Sequence, residues 1–202
     1  MKKISIGICL VVVAVVLVST RWSTRAVNAP PQDYLPAPSD TSLANALTIG
    51  EMVNQSDLIG IGNCVGIKSV WVDRSLVTLA TVSLSETLKG TESGEITVVL
   101  PGGVDANRKI PVPMSYPGAP RITPGEDVFL FLSANSDAPG GYVVAGFSQG
   151  KFSIVRDEEG EQLVSRDLTK TMLQGNNGVR RGTANKMLLS SLKAEVKQHL
   201  QQ

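Results

Sequence analysis

The sequence predicts a mainly β domain: a small barrel of five or six strands, with a short helix before it and an amphipathic helix after it. Three observations predict this. Apolar residues alternate with a period of two through much of Leu58 to Leu88. Val128-Phe129-Leu130-Phe131-Leu132 is a continuous apolar run, which suits a strand covered on both faces. Turn residues separate such runs at short intervals, and helical spacing occurs only near the two ends.

Residues 1–29 stand apart from that domain. Lys2 and Lys3 precede an apolar run of 15 residues, Ile4 to Val18, and Val27-Asn28-Ala29 has the small-residue pattern of a cleavage site. A bilayer span needs about 20 apolar residues, so the run reads as an export signal. An uncleaved anchor that uses residues 4–20 is the alternative. The mature chain is then expected outside the cytoplasm, periplasmic or extracellular, with no other membrane contact.

Composition narrows the function classes. The whole chain has 19 basic and 18 acidic residues, and removing Lys2, Lys3, Arg21 and Arg25 leaves a net charge of −3. Phosphate backbones need clustered cations, so nucleic acid is not an expected partner. Aromatics make up only 4% of the chain, too few for base-stacking platforms. Once Cys9 leaves with the signal, Cys64 is alone and no internal disulfide can form. Its β-like surroundings make it a small core residue.

The remaining elements follow in order. Residues 30–44 carry Pro30, Pro31, Pro36 and Pro38 and read as a stiff linker. Thr48 and Glu51 form a Thr-x-x-Glu capping box, which predicts a helix to about Gln55. Strands are expected over Leu58–Val72, Ser75–Leu88, Glu95–Leu100, 128–132, Tyr142–Phe147, Lys151–Val155 and, as a short return, Gln162–Ser165, within a barrel domain of residues 45–170. Gly60, Gly62 and Gly66 read as strand glycines that relieve crowding or allow bulges. Residues 171–202 are expected to be a glycine- and asparagine-rich loop, Gly175–Gly182, followed by a helix from Ala184 to Leu200. Strand count and strand spacing favour the architecture of an oligonucleotide/oligosaccharide-binding (OB) barrel, a name that carries no function.

An ordered series of motifs adds a resemblance. It comprises Ser56-Asp57-Leu58-Ile59, Leu88-Lys89-Gly90, Pro101-Gly102-Gly103, Gly118-Ala119-Pro120-Arg121, Pro124-Gly125-Glu126-Asp127-Val128 and Gln149-Gly150-Lys151-Phe152. This series resembles a group of exported bacterial proteins of uncharacterised role. More distantly it is similar to the netrin-like barrel domain of tissue inhibitors of metalloproteinases. The resemblance implies a barrel over residues 56–155 and suggests inhibition of a secreted protease. Those inhibitors use a disulfide-pinned N-terminal cysteine, which this chain lacks, so their mechanism transfers to no residue here.

The chemical candidates are few. His199 is the only histidine and sits near the end of the last helix, where it is expected to be exposed and badly placed to serve as a base. Histidine and cysteine ligands number two in the mature chain, His199 and Cys64, so no zinc site, other metal site or cofactor is expected. Ser148-Gln149-Gly150-Lys151 matches a Ser-x-x-Lys acylating pair, but that pair needs a helical turn, and the β context here sets the two side chains apart. Asp157 to Glu161 lacks the spaced ligands of a calcium loop and reads as a solvated hairpin tip. No catalytic residue is assigned. The proline-rich stretch Pro111–Arg121 is the best site for a partner, another protein, with Met114, Tyr116 and Arg121 as contact residues on a pre-set backbone. Its competing role is as a cover over one end of the barrel. The expectation is an exported, non-enzymatic interaction module. The alternatives are a protease inhibitor and a hydrolase built on Ser148 and Lys151.

Overall fold

The computed structural model describes residues 40–107, 109–135 and 141–202. The predicted export segment and cleavage site and the prolines at 30, 31, 36 and 38 lie outside the described residues. The chain begins with β1 (Ser42–Asn45), α1 (Ile49–Gln55), β2 (Leu58–Val72), β3 (Ser75–Lys89), β4 (Glu95–Pro101), β5 (Gly103–Asp105) and β6 (Val112–Met114). It continues through β7 (Asp127–Ala134), β8 (Gly141–Val144), β9 (Lys151–Arg156), β10 (Gln162–Asp167), β11 (Thr171–Gly175), β12 (Gly178–Arg181), β13 (Ala184–Leu188) and α2 (Leu189–Leu200).

The protein is mainly β, as its sequence predicts, with two helices among the described residues. The main sheet has eight strands in the order β13-β10-β9-β7-β2-β3-β4-β8, and β8 also pairs with β7. It is not a clean barrel, because three strands continue beyond β7. One edge of β7 is shared: β9 pairs with Val128–Leu130 and β8 with Leu132–Ala134. Phe131 sits at the exchange, where its N–H donates to Gly150 O at 2.8 Å and its carbonyl accepts from Ala145 N at 2.9 Å. A separate sheet runs β1-β11-β12, and β5 pairs with β6.

Local chemistry accounts for the predicted elements. Thr48 and Glu51 close the capping box, with Thr48 N–H donating to Glu51 Oε2 at 2.8 Å and Glu51 N–H to Thr48 Oγ1 at 3.2 Å. The expected strands at Leu58–Val72 and Ser75–Leu88 are present, the second one residue longer. Register shifts in the β2–β3 ladder fall between Ile59 and Gly60, Ile61 and Gly62, and Cys64 and Gly66. A Cβ at Gly62 would lie 2.5 Å from Ser83 O, so this glycine does relieve strand crowding.

The apolar run in β7 is buried on both faces. Val128, Leu130 and Leu132 join Cys64, Val82 and Val98 in one core. Phe129 and Phe131 face a second core with Phe152, Met52 and Val53 of α1, and Leu192 and Val196 of α2. Cys64 is fully buried, as its β context suggests.

Several expectations are corrected. Ser42–Ala44, the end of the predicted linker, belongs to β1, which pairs in parallel with β11. The Gly175–Gly182 loop is a hairpin between β11 and β12, turned at Asn176-Asn177. The last helix begins at Leu189, because Ala184–Leu188 pairs with β10 as a strand. Its side chains had matched the helical pattern by spacing alone. His199 is half-buried, and its ring packs where a Cβ of Gly50 would sit, so α1 and α2 approach closely.

Candidate functional site

The proline-rich stretch divides into two parts. Val112–Met114 is strand β6, paired with β5. The chain then turns at Tyr116–Ala119, where Ala119 N–H donates to Tyr116 O at 3.1 Å. Pro117 and Gly118 occupy the central positions, and Gly118 has φ +66°, the left-handed backbone that the third position of a type II turn requires. Glycine is also needed for space, since a Cβ there would lie 2.6 Å from both Ser42 Oγ and Thr171 Oγ1. The turn thus rests on the β1–β11 ladder.

Of the three predicted contact residues, Tyr116 and Arg121 are exposed and line one open cleft of about 710 Å³. Met114 is half-buried and meets this surface through Tyr116, whose hydroxyl lies 3.5 Å from its sulfur. Pro120 of the stretch is buried instead, and Ile122, directly after it, enters the first core.

The opposite wall of the cleft is β9 and β10, through Lys151, Ser153 and Ser165. Residues 151 and 153 share a face because side chains two apart on a strand point the same way. Beside them sits Glu126, at the end of the turn Thr123-Pro124-Gly125-Glu126, with Gly125 at φ +83° and Glu126 N–H donating to Thr123 O at 3.0 Å. Glu126 is engaged on both oxygens. Oε1 accepts from Lys151 Nζ and from Ser153 Oγ at 2.7 Å. Oε2 accepts from Thr123 N at 2.9 Å and Thr123 Oγ1 at 3.2 Å. Lys151 Nζ also donates to Ser153 Oγ at 2.7 Å, which closes a three-membered network. Both side chains of the ion pair are largely buried, at 14% and 17% exposure. Arg166 directs its guanidinium elsewhere, 4.6 Å from the centre of the Phe152 ring, with Nη1 donating to Gln149 O at 2.7 Å.

Burial alone would push the Glu126 carboxyl upward, but hydrogen bonds from Lys151, Ser153 and Thr123 outweigh it and hold the group below its ordinary value of 4.5. The folded value is therefore lower than the unfolded one. The stability it contributes is complete above about pH 4.5 and is lost as pH falls through the lower folded value. Urea unfolding between pH 2 and 6 is expected to show a steeper acid loss for the native chain than for Glu126→Gln. Equal slopes would mean that the network contributes nothing to acid sensitivity.

The Ser-x-x-Lys pair does not come together through its side chains. Ser148 Oγ lies 3.4 Å from Thr171 Oγ1, while Lys151 engages Glu126 and Ser153. The serine in contact with Lys151 is one that the motif does not contain. Asp157 at the acidic tip accepts Glu161 N–H at 2.8 Å and Gly160 N–H at 3.2 Å, as a solvated hairpin end does. Among the described residues no group of three or more His, Cys, Asp or Glu side chains is placed to hold a metal ion.

Sequence reasoning reached Tyr116 and Arg121 but missed Glu126 and Ser153. The available signal was the two-residue spacing of Lys151 and Ser153 on a predicted strand, facing the acid of a Pro-Gly turn. No protein-family model matches the chain, and neither a curated protein nor a solved structure matches it.

Proposed function

We propose that this chain is an exported, non-enzymatic binding module that holds a partner protein in the cleft between Ser115–Arg121 and the β9–β10 face. The carrying observation is the makeup of that cleft. Tyr116 and Arg121 are exposed on one wall, whereas Lys151 and Ser153 on the other are engaged with Glu126. Tyrosine and arginine are the side chains that most often anchor protein interfaces. The prolines around them reduce the ordering cost of binding. The scaffold in this reading is a five-stranded OB-like barrel. The pairings β2–β3, β3–β4, β4–β8, β8–β7 and β7–β2 return to their starting strand, with β4 and β8 parallel, which supports it. The basic-then-apolar start of the chain supports export to the periplasm or beyond.

The double variant Tyr116→Ala/Arg121→Glu is expected to reduce crosslinked partner recovered from the native compartment at least about tenfold, with no change in melting temperature. Undiminished recovery would remove the cleft from this role.

One observation favours a second reading, acyl transfer, because Lys151 Nζ lies 2.7 Å from Ser153 Oγ. Against it, Ser153 Oγ donates to Glu126 Oε1 and accepts from Lys151 Nζ, so the amine is the donor in that contact and does not receive the serine proton. In the same preparations, a fluorescent acylating probe that marks the native chain and Ser153→Ala equally dismisses it.

A further inference from the structure

A second surface lies where hairpins β2–β3 and β5–β6 meet. Val104 N–H donates to Ser69 Oγ at 3.0 Å, and Trp71 Nε1 donates to Asp105 Oδ2 at 3.0 Å. Strand β5 therefore lies beside Ser69 and Trp71, near the Asp73-Arg74 turn of β2–β3. This end exposes a cluster of apolar side chains: Ile110 at 75%, Val104 at 47%, Trp71 at 42% and Val112 at 39%. Trp71 is held rather than loose. Asp105 is itself buried and fixes the indole N–H, so the ring is presented outward at little ordering cost. Pro111 and Pro113 stiffen the backbone between Ile110 and Met114.

The charge of this end differs from the rest. Residues 30–202 carry a net −3, yet Lys68, Arg74 and Lys109 here outnumber Asp73 and Asp105. Neither Arg74 nor Lys109 makes an ion pair with a described residue. Aliphatic side chains and a tryptophan at the ends of the two hairpins, beside exposed cations, match the boundary between lipid headgroups and acyl chains.

We propose that these paired tips dock on an anionic phospholipid surface, with Ile110 and Trp71 entering the interface and Arg74 and Lys109 lying against lipid phosphates. Trp71, Arg74, Lys109 and Ile110 do not line the cleft. The docking implies a chain held against a membrane with its cleft left open.

The test uses the full chain carrying Trp22→Phe, which leaves Trp71 as the sole tryptophan. It is reconstituted in vesicles of phosphatidylcholine, with or without phosphatidylglycerol, and any attachment through residues 4–20 is common to both. Trp71 emission is expected to shift to the blue, and to be quenched by brominated acyl chains, only when phosphatidylglycerol is present. High salt should weaken the effect. Ile110→Asp should abolish the quenching, and Lys109→Ala should weaken it about fivefold, the effect of one cation at an anionic surface. Both residues are exposed, and circular dichroism checks that each variant keeps its strands. The same emission in both vesicle types overturns the proposal. A blue shift that appears without lipid and grows with protein concentration also overturns it, by assigning the surface to a second copy of the chain.

Discussion

Replacing Phe131 with alanine is expected to lower the free energy of unfolding by about 3–5 kcal/mol. The ring is fully buried, 5.3 Å from the Phe129 ring centre and 6.1 Å from that of Phe152. Two contributions act together. Removing the ring leaves a cavity whose walls come from β7, β9 and both helices, so they cannot all close inward. The aromatic neighbours also lose contacts worth about 0.5–1.5 kcal/mol per pair. Against a usual total of about 5–15 kcal/mol, the loss is large. Phe131→Leu should recover much of it, because the volume is mostly kept. Guanidinium titration of the three proteins measures this, with an unchanged slope showing that only stability has moved. A loss under about 1 kcal/mol would mean that the second core refills the site, and would deny β7 its central place.

The second large effect is expected at Gly62. A methyl group there meets Ser83 O at 2.5 Å and Val82 Cγ1 at 2.8 Å. Ser83 cannot retreat, because β3 is laddered to β2 on one side and β4 on the other, with Ser83 opposite Asn63 and Glu95. Gly62→Ala is therefore expected to cost about 3 kcal/mol, the upper end for overfilling a packed site. Gly66 in the same strand is the control. No atom lies within 4 Å of its Cβ position, so Gly66→Ala should be neutral or stabilise by about 0.5 kcal/mol through the unfolded chain. Thermal or chemical melts that rank the two variants the other way would contradict the close approach of β2 and β3.

The contrast between those glycines marks how much the sequence could reveal. That β2 carried glycines to relieve crowding or allow bulges was legible, because alternation persisted through them. That Gly62 is pressed and Gly66 is not depends on the partner strand, which no local pattern encodes. The same boundary runs through the rest of the fold. The capping box, the long β2–β3 hairpin and the apolar β7 were legible because each signal is contained within a few residues. Strands β1, β11 and β12 were not. Ser42–Asn45 has half-buried and exposed positions and a partner about 129 residues away, and every residue of Gly178–Arg181 is exposed. Strand β13 was taken into the helix because Met187 and Leu188 extend its apolar spacing. The helix has no side-chain cap at Leu188 to mark its start. In the cleft, Tyr116 and Arg121 were found from composition and stiffness. Glu126 comes to Lys151 and Ser153 only through the β7–β9 pairing.

The parallel pairing of β1 with β11 has a kinetic consequence. Ser42 meets Thr171 only after nearly all of the intervening chain has become available. Closing so long a loop carries an entropic penalty before any contact offsets it, and high sequence separation slows folding. A polypeptide threading a pore from its N-terminus would hold β1 unmatched until residues past 170 had emerged. For a chain exported as proposed, completion would wait for the end of passage, leaving the moving chain in a state a narrow channel can accept.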